Sequence, residues 1–206
     1  MKFAEQGSGA WLNMRVGRLT ASRMADAMAM RKDGKPSESR NKLLVELLAE
    51  RLTGDATPHF VSAPMLWGIE NEPHAKAAYE AASGNLLDKC GFSLHPEIEH
   101  FGASPDAHIG DDAVFEAKCP NSTTHVSWLI ERQMPEQHKP QVLAQLACTG
   151  RSVAVFVSFD PRMPPNKQLM IVDWIPTREE IEHVEECART FLADLDSMFR
   201  QLTETA

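Results

Sequence analysis

Apolar and polar positions alternate along this chain at two periods, and each change of period marks a change of element. Leu43, Leu44, Leu47, Leu48 and Leu52 fall at helical spacing. Ser39 ahead of them can accept the free amides of a first turn and Gly54 beyond them can stop the helix, so the pattern predicts a helix between the two. A second helical stretch runs from about Met65 to Ala82 and ends at Gly84-Asn85. Pro73 inside it has no amide to donate and must kink the helix or start a new one. From Leu86 the pattern shortens to strand-like pieces, Leu86–Leu94, Glu99–Ala103 and Ala113–Cys119, separated by Pro, Gly and Asp-rich turns. Helical signals return where Ser122 or Thr123 precedes Val126, Trp128, Leu129 and Ile130, and where Pro135 opens a stretch through Val142, Leu143, Leu146 and Ala147. Val153–Phe159, with three β-branched valines and apolar but for Ser158, is the best strand of the chain, and Gln168–Ile175 is another; both are expected at or near the centre of a sheet. Thr177 with Glu180 forms a capping box ahead of one long apolar stripe, Ile181, Val184, Ala188, Phe191, Leu192, Leu195, Met198 and Leu202. These elements together predict an α/β (α+β) layer with a central mixed β-sheet flanked by helices.

Composition narrows the class. The 206 residues are 43% hydrophobic and hold no low-complexity tract, long linker or repeat, so residues 1–206 read as one domain. The longest apolar stretches, such as Val153–Val157, fall far short of the ~20 residues that cross a bilayer, and Met1–Gln6 lacks the apolar core of a secretion signal. A cytoplasmic protein with no membrane partner is expected. The cysteines at 90, 119, 148 and 187 form no C-x-x-C pair and read as free thiols. None of the eight histidines shows H-E-x-x-H or other ligand spacing; His59, His95, His100, His108 and His125 read as surface or turn residues, and zinc is not expected.

A net charge of −8 argues against a protein that coats nucleic acid through its whole surface. The charge is uneven, however. Residues 1–53 hold ten basic side chains against six acidic ones, while the remainder holds eleven against twenty-three. Either the N-terminal segment meets an anion or it is a basic surface held in solvent.

The chemistry gathers around two short segments. In Gly102-Ala103-Ser104-Pro105-Asp106 the turn residues aim Asp106 off the end of a strand. Ten residues on, Glu116-Ala117-Lys118 lies on a predicted strand, whose alternation puts Glu116 and Lys118 with Val114 on one face and Ala117 on the other. Two carboxylates brought together repel, and a divalent cation with hard oxygen ligands resolves this; Mg²⁺ fits, keeping waters for a substrate phosphate. A neighbouring lysine can orient or deprotonate the attacking water. Alone, a Glu-x-Lys is most often a solvent-facing pair. Following a helix with Gly68 and Glu72-Pro73, and preceding one with Gln141, it points instead to a metal-dependent phosphodiesterase. Trp67 and Trp128 could stack on bases or fill the core.

With these residues in place, the chain resembles the lambda-type alkaline exonucleases, also called YqaJ-like viral recombinases, of the PD-(D/E)xK nuclease superfamily. The resemblance begins at Trp11-Leu12-Asn13-Met14-Arg15-Val16-Gly17-Arg18-Leu19-Thr20-Ala21-Ser22, similar to a W-x-x-x-R-x-G-x-x-T-A-S opening. It runs through Met65-Leu66-Trp67-Gly68, Glu72-Pro73, Ala78-Tyr79-Glu80, the Asp106 and Glu116–Lys118 segments and Pro140-Gln141-Val142 to Phe159-Asp160-Pro161-Arg162. It implies a restriction-endonuclease-like core and a Mg²⁺-dependent exonuclease, with Mn²⁺ as a substitute, that digests linear duplex DNA from the 5′ end. The remaining 3′ tail would pass to a phage single-strand annealing protein, and the assembly would be a homotrimer. By matching position, Asp106 and Glu116 with the Ala117 carbonyl are metal ligands, and Lys118 activates water. Glu72 supports the metal or water, and Gln141 contacts the nucleophile or the lysine. Arg15, Ser22 and Ser104 match the positions that hold a terminal 5′-phosphate, with Arg31 or Lys32 as a further basic contact. Two other readings remain: a restriction- or repair-type endonuclease on the same core, and a non-catalytic module that binds DNA ends.

Overall fold

A computed structural model describes residues 4, 6–58 and 60–204, so His59 lies outside the described residues. Among those described, the strands form two sheets. In the smaller, β3 (Phe101–Ala103) lies between β1 (Leu19–Thr20), to which it is parallel, and β2 (Ser93–Leu94), to which it is antiparallel. The larger follows the order β4 (Ala107–Ile109), β5 (Ala113–Lys118), β6 (Val153–Phe159), β7 (Leu169–Trp174). Strands β5 and β6 are parallel and the other pairs antiparallel. A parallel pair needs a crossover, and here it contains α5 (Ser122–Glu131) and α6 (Lys139–Thr149). The remaining helices are α1 (Gly9–Arg15), α2 (Met24–Met28), α3 (Glu38–Thr53), α4 (Ala63–Ser83) and α7 (Arg178–Glu204). The expected mixed sheet flanked by helices is therefore present.

Alternation along β5 decides what lies on either side of the larger sheet. Phe115 and Ala117 pack with Ala75 and Tyr79 of α4, while Val114 packs with Trp128 of α5 and Val142 and Leu146 of α6. Trp128 is thus a core residue. The stripe on α7 buries Val184, Ala188, Phe191, Leu192 and Leu195 against Met24, Leu43, Leu47 and Leu143. Each of the larger side chains, alanine apart, contributes roughly 1.5–3 kcal/mol on burial. The capping box before α7 forms reciprocally: the Thr177 amide donates to Glu180 Oε2 at 2.8 Å and the Glu180 amide to Thr177 Oγ1 at 3.2 Å.

Several expectations are corrected. Ser37, not Ser39, caps α3 by accepting from the Arg40 amide, and Asn121, rather than Ser122 or Thr123, caps α5. Helix α4 runs through Pro73 as one element. The carbonyl that loses its donor there belongs to Ile69, which is 64% exposed and can be hydrated instead. Most of 86–94 is irregular, held by an isolated bridge from Asp88 to His108, and Ala107–Ile109 is a strand that the pattern did not mark. At the start of Glu99–Ala103, His100 adopts φ 61°, which delays the strand to Phe101. Strand β7 is an edge, not central; its buried and exposed positions alternate. His95 and His125 are buried rather than superficial: His95 faces Glu185 at 3.2 Å, and His125 lies between Ser158 Oγ at 2.7 Å and the Lys167 carbonyl at 2.8 Å. Among the described residues no helix is long and apolar enough to cross a membrane.

Candidate active site

A cleft of about 530 Å³ opens where α4 faces the end of β5, lined by Gly68, Glu72, Asp106, Ala117, Lys118 and His138 among others. Asp106 reaches it because the chain turns through Ser104-Pro105 between β3 and β4. Its amide then donates to the Phe115 carbonyl at 3.1 Å, and its Oδ2 accepts the Ala117 amide at 2.8 Å. Backbone and side chain of Asp106 are both tied to β5. Burial, then the charges of Glu116 and Glu72, push the Asp106 carboxyl well above the usual carboxylate range, against the opposing pull of Lys118 and the Ala117 amide.

Glu116 and Lys118 share a face of β5, as alternation predicts, and that face looks toward α6. Glu116 is 2% exposed. Its Oε1 accepts from Lys118 Nζ at 2.5 Å and from Gln141 Nε2 at 2.6 Å, and its Oε2 accepts from Gln145 Nε2 at 2.6 Å. Lys118 also donates to Gln141 Oε1 at 3.3 Å. Burial works against the lysine's charge, but Glu116 and Asp106 outweigh it, and its pKa lies above the ordinary lysine value. A cation held by Glu116 and Gln141 therefore stands at the cleft, within the influence of Asp106. His138 is pushed down to about 4 by burial and by the nearby Lys118 charge, so it lines the cleft as a neutral ring.

Glu72 enters from α4 and is tied to Lys76 one turn on, at 2.6 Å. Among the described residues no three His, Cys, Asp or Glu side chains come together as a closed ligand set. The side chains that do line or adjoin the cleft offer carboxylate and carbonyl oxygens, and the charge pressure on Asp106 is of the kind a hard divalent cation relieves. Cys119, also in the cleft, has its thiol pushed up to about 12 by burial and by Glu72, so it offers no thiolate.

The predicted phosphate residues also assemble, through one that sequence reasoning left without a role. Trp11 Nε1 donates to Ser104 Oγ at 2.8 Å, and the Arg15 guanidinium lies 4.2 Å over the Trp11 ring. Arg15 Nη2 in turn donates to Ser22 Oγ at 3.3 Å. Among the described residues Arg15 makes no salt bridge. Burial, then the Arg23 charge, lower its pKa against the opposing pull of Glu50. Arg31 and Lys32 are not brought to this group. They lie on an exposed turn closed by the Met30–Pro36 bridge, where Arg31 pairs with Asp33 at 3.2 Å. Gln145 was also missed; its one signal in the sequence is its place four residues after Gln141, on the same helix face.

A mixed sheet that carries an aspartate off one strand and Glu-x-Lys on the next, flanked by helices, is the PD-(D/E)xK-like nuclease fold. Residues 10–152 match the YqaJ-like viral recombinase domain, and the chain belongs to that family. It is similar to the crystal structure of LHK-Exo, an alkaline exonuclease from Laribacter hongkongensis, at 35% identity and a TM-score of 0.89 over 96% of this chain and 97% of that one. LHK-Exo in complex with dAMP matches to the same degree. A phage related exonuclease from Haemophilus somnus 129PT shares the fold at 15% identity, with a TM-score of 0.72 over 90% of this chain and 96% of that one. No curated protein sequence matches the chain significantly.

Proposed function

We propose that residues 1–206 act as one nuclease domain, a Mg²⁺-dependent exonuclease that digests one strand of linear duplex DNA from its 5′ end. The observation that carries this reading is the continuity of two groups. Ser104, hydrogen-bonded to the Trp11 that Arg15 covers, lies two residues before Asp106, so an arginine with no salt bridge among the described residues is linked through Trp11 to the segment that carries Asp106. A phosphomonoester bonded to Arg15, Ser22 and Ser104 would leave the adjoining diester beside Asp106 and Lys118.

Asp106 and Glu116, with the Ala117 carbonyl, would hold Mg²⁺, or Mn²⁺ in its place, which supplies Lewis acidity and lowers the pKa of bound water. Lys118, kept charged by its neighbours, attracts and orients the attacking water and offsets charge on the phosphate. Gln141 fixes the lysine through its carbonyl oxygen, and Glu72 shapes the α4 side of the cleft. The 3′ tail left behind would be taken up by a phage single-strand annealing protein in a bacterial cytoplasm, and a homotrimeric ring would keep hold of the DNA between cuts. The test is to incubate the protein and Mg²⁺ with linear and covalently closed circular forms of one duplex. Only the linear form should be degraded; digestion of the circle would replace this reading with an endonuclease, and digestion of neither would favour a binding module.

A further inference from the structure

Helix α6 presents two amides to one carboxylate. Gln141 stands half-buried and reaches Glu116 Oε1, whereas Gln145 is 0% exposed and reaches Oε2 at 2.6 Å. The Oε1 atom of Gln145 is buried and meets no donor among the described residues. Its neighbours on the helix are apolar: Val142 and Leu146 belong to one core cluster, Ala144 and Cys148 to another. A methionine would fill that volume without stranding a carbonyl, and a buried acceptor left unpaired costs about 1–3 kcal/mol. Packing therefore does not account for an amide at 145. Its N–H does, because it can hold one oxygen of a buried carboxylate without a second charge. With Oε2 pinned against α6, Oε1 is the oxygen that shares Lys118 and Gln141 at the cleft.

We infer that Gln145 is a positioning residue that fixes Glu116 by Oε2 so that Oε1 is presented as the cation-binding oxygen. This rests on the reading of Asp106 and Glu116 as ligands. Partners that orient a ligand carboxylate are worth about 10–100-fold in metal affinity. The experiment titrates Mn²⁺ calorimetrically into DNA-free wild type, Gln145→Met, Gln145→Asn and Glu116→Gln. The asparagine is one methylene too short to reach and keeps the test open should the methionine variant misfold. Both Gln145 variants should bind Mn²⁺ about 10–100-fold more weakly, with KM for linear duplex within about twofold of wild type and kcat restored at saturating Mn²⁺, a rescue that a structural role would not give. Weakened binding in Glu116→Gln with wild-type binding in both Gln145 variants would overturn the assignment of Gln145 alone. Wild-type binding in Glu116→Gln would overturn the ligand reading and this inference with it.

Discussion

At the scale of single residues, the site sets a half-buried ammonium against carboxylates that repel one another. On the proposed reading, Glu116→Ala and Lys118→Ala should each reduce hydrolysis by about 10²-fold or more while leaving binding of duplex ends within a few-fold, since both side chains would act mainly on the transition state. Single-turnover rates and a binding isotherm separate the two effects. A Lys118→Ala enzyme with near-normal turnover would make that lysine an ordinary ion-pair member. Asp106 leads to a prediction of opposite sign for stability. A carboxyl raised above its unfolded pKa binds its proton more tightly in the folded state, so stability is lost as pH rises through the unfolded and then the folded value. At neutral pH and without metal this carboxyl therefore costs stability. Asp106→Asn keeps an acceptor for the Ala117 amide and removes the charge. Its melting temperature without metal should therefore rise by about 2–4 °C, the shift of roughly 1 kcal/mol in a chain of this size, while activity disappears. A lower melting temperature would contradict the repulsion. The pairing of Glu116 with Lys118 was legible in the sequence because strand alternation has a fixed period; Gln145 was not, because a lone amide among apolar neighbours looks like one polar position on a helix.

At the scale of elements, the N-terminal segment was the least legible part. Helices α1 and α2 and strand β1 are short, with too few apolar positions to show a period. Their placement comes from tertiary contacts instead. Gly17 sits with φ 66°, its amide donating to the buried Glu50 at 2.8 Å and its carbonyl accepting from Arg51 Nε at 2.9 Å. Glu50 also accepts the Thr57 amide at 2.9 Å, and Arg51 pairs with Asp196 of α7. The peptide two residues after Arg15 is thereby clamped on both sides to α3. A Cβ at Gly17 would lie 2.7 Å from Arg51 Cγ, whereas one at Gly84, with φ 74°, would meet nothing within 4 Å. Both Gly→Ala changes incur the left-handed strain of about 1–2 kcal/mol, but Gly17→Ala must also displace a pinned arginine. Thermal melts should show Gly17→Ala clearly lower than Gly84→Ala; equal melting temperatures would mean that the clamp yields freely. The long amphipathic α7 and the apolar β6 were readable because burial follows their own period, while β7 was misplaced because an apolar, β-branched run does not say how many of its edges are paired.

At the scale of the whole molecule, part of the basic surplus of residues 1–53 serves the fold. Arg23 pairs with Glu46, Arg40 with Asp194 and Arg51 with Asp196, so these cations hold the N-terminal segment to α3 and α7. They add little to the field that a DNA molecule meets. Arg15 differs: it is half-buried, stacked on the Trp11 that bonds Ser104, and makes no salt bridge among the described residues. On the proposed reading, a chain of net charge −8 that meets DNA through one such arginine should depend on the chemistry of the end more than on overall attraction. Arginine meets the extra charge of a terminal phosphomonoester bidentately, which an interior diester cannot match. Arg15→Ala should therefore slow digestion of 5′-phosphorylated duplex by at least about 10-fold, the loss of one charge-assisted contact, and hardly change the slower attack on 5′-hydroxyl ends. The measurement compares wild type and variant on phosphorylated and dephosphorylated ends of one duplex. Equal slowing on both would place Arg15 with Arg23, Arg40 and Arg51 among the cations that serve the fold, and the polarity of digestion would then need a source other than this arginine.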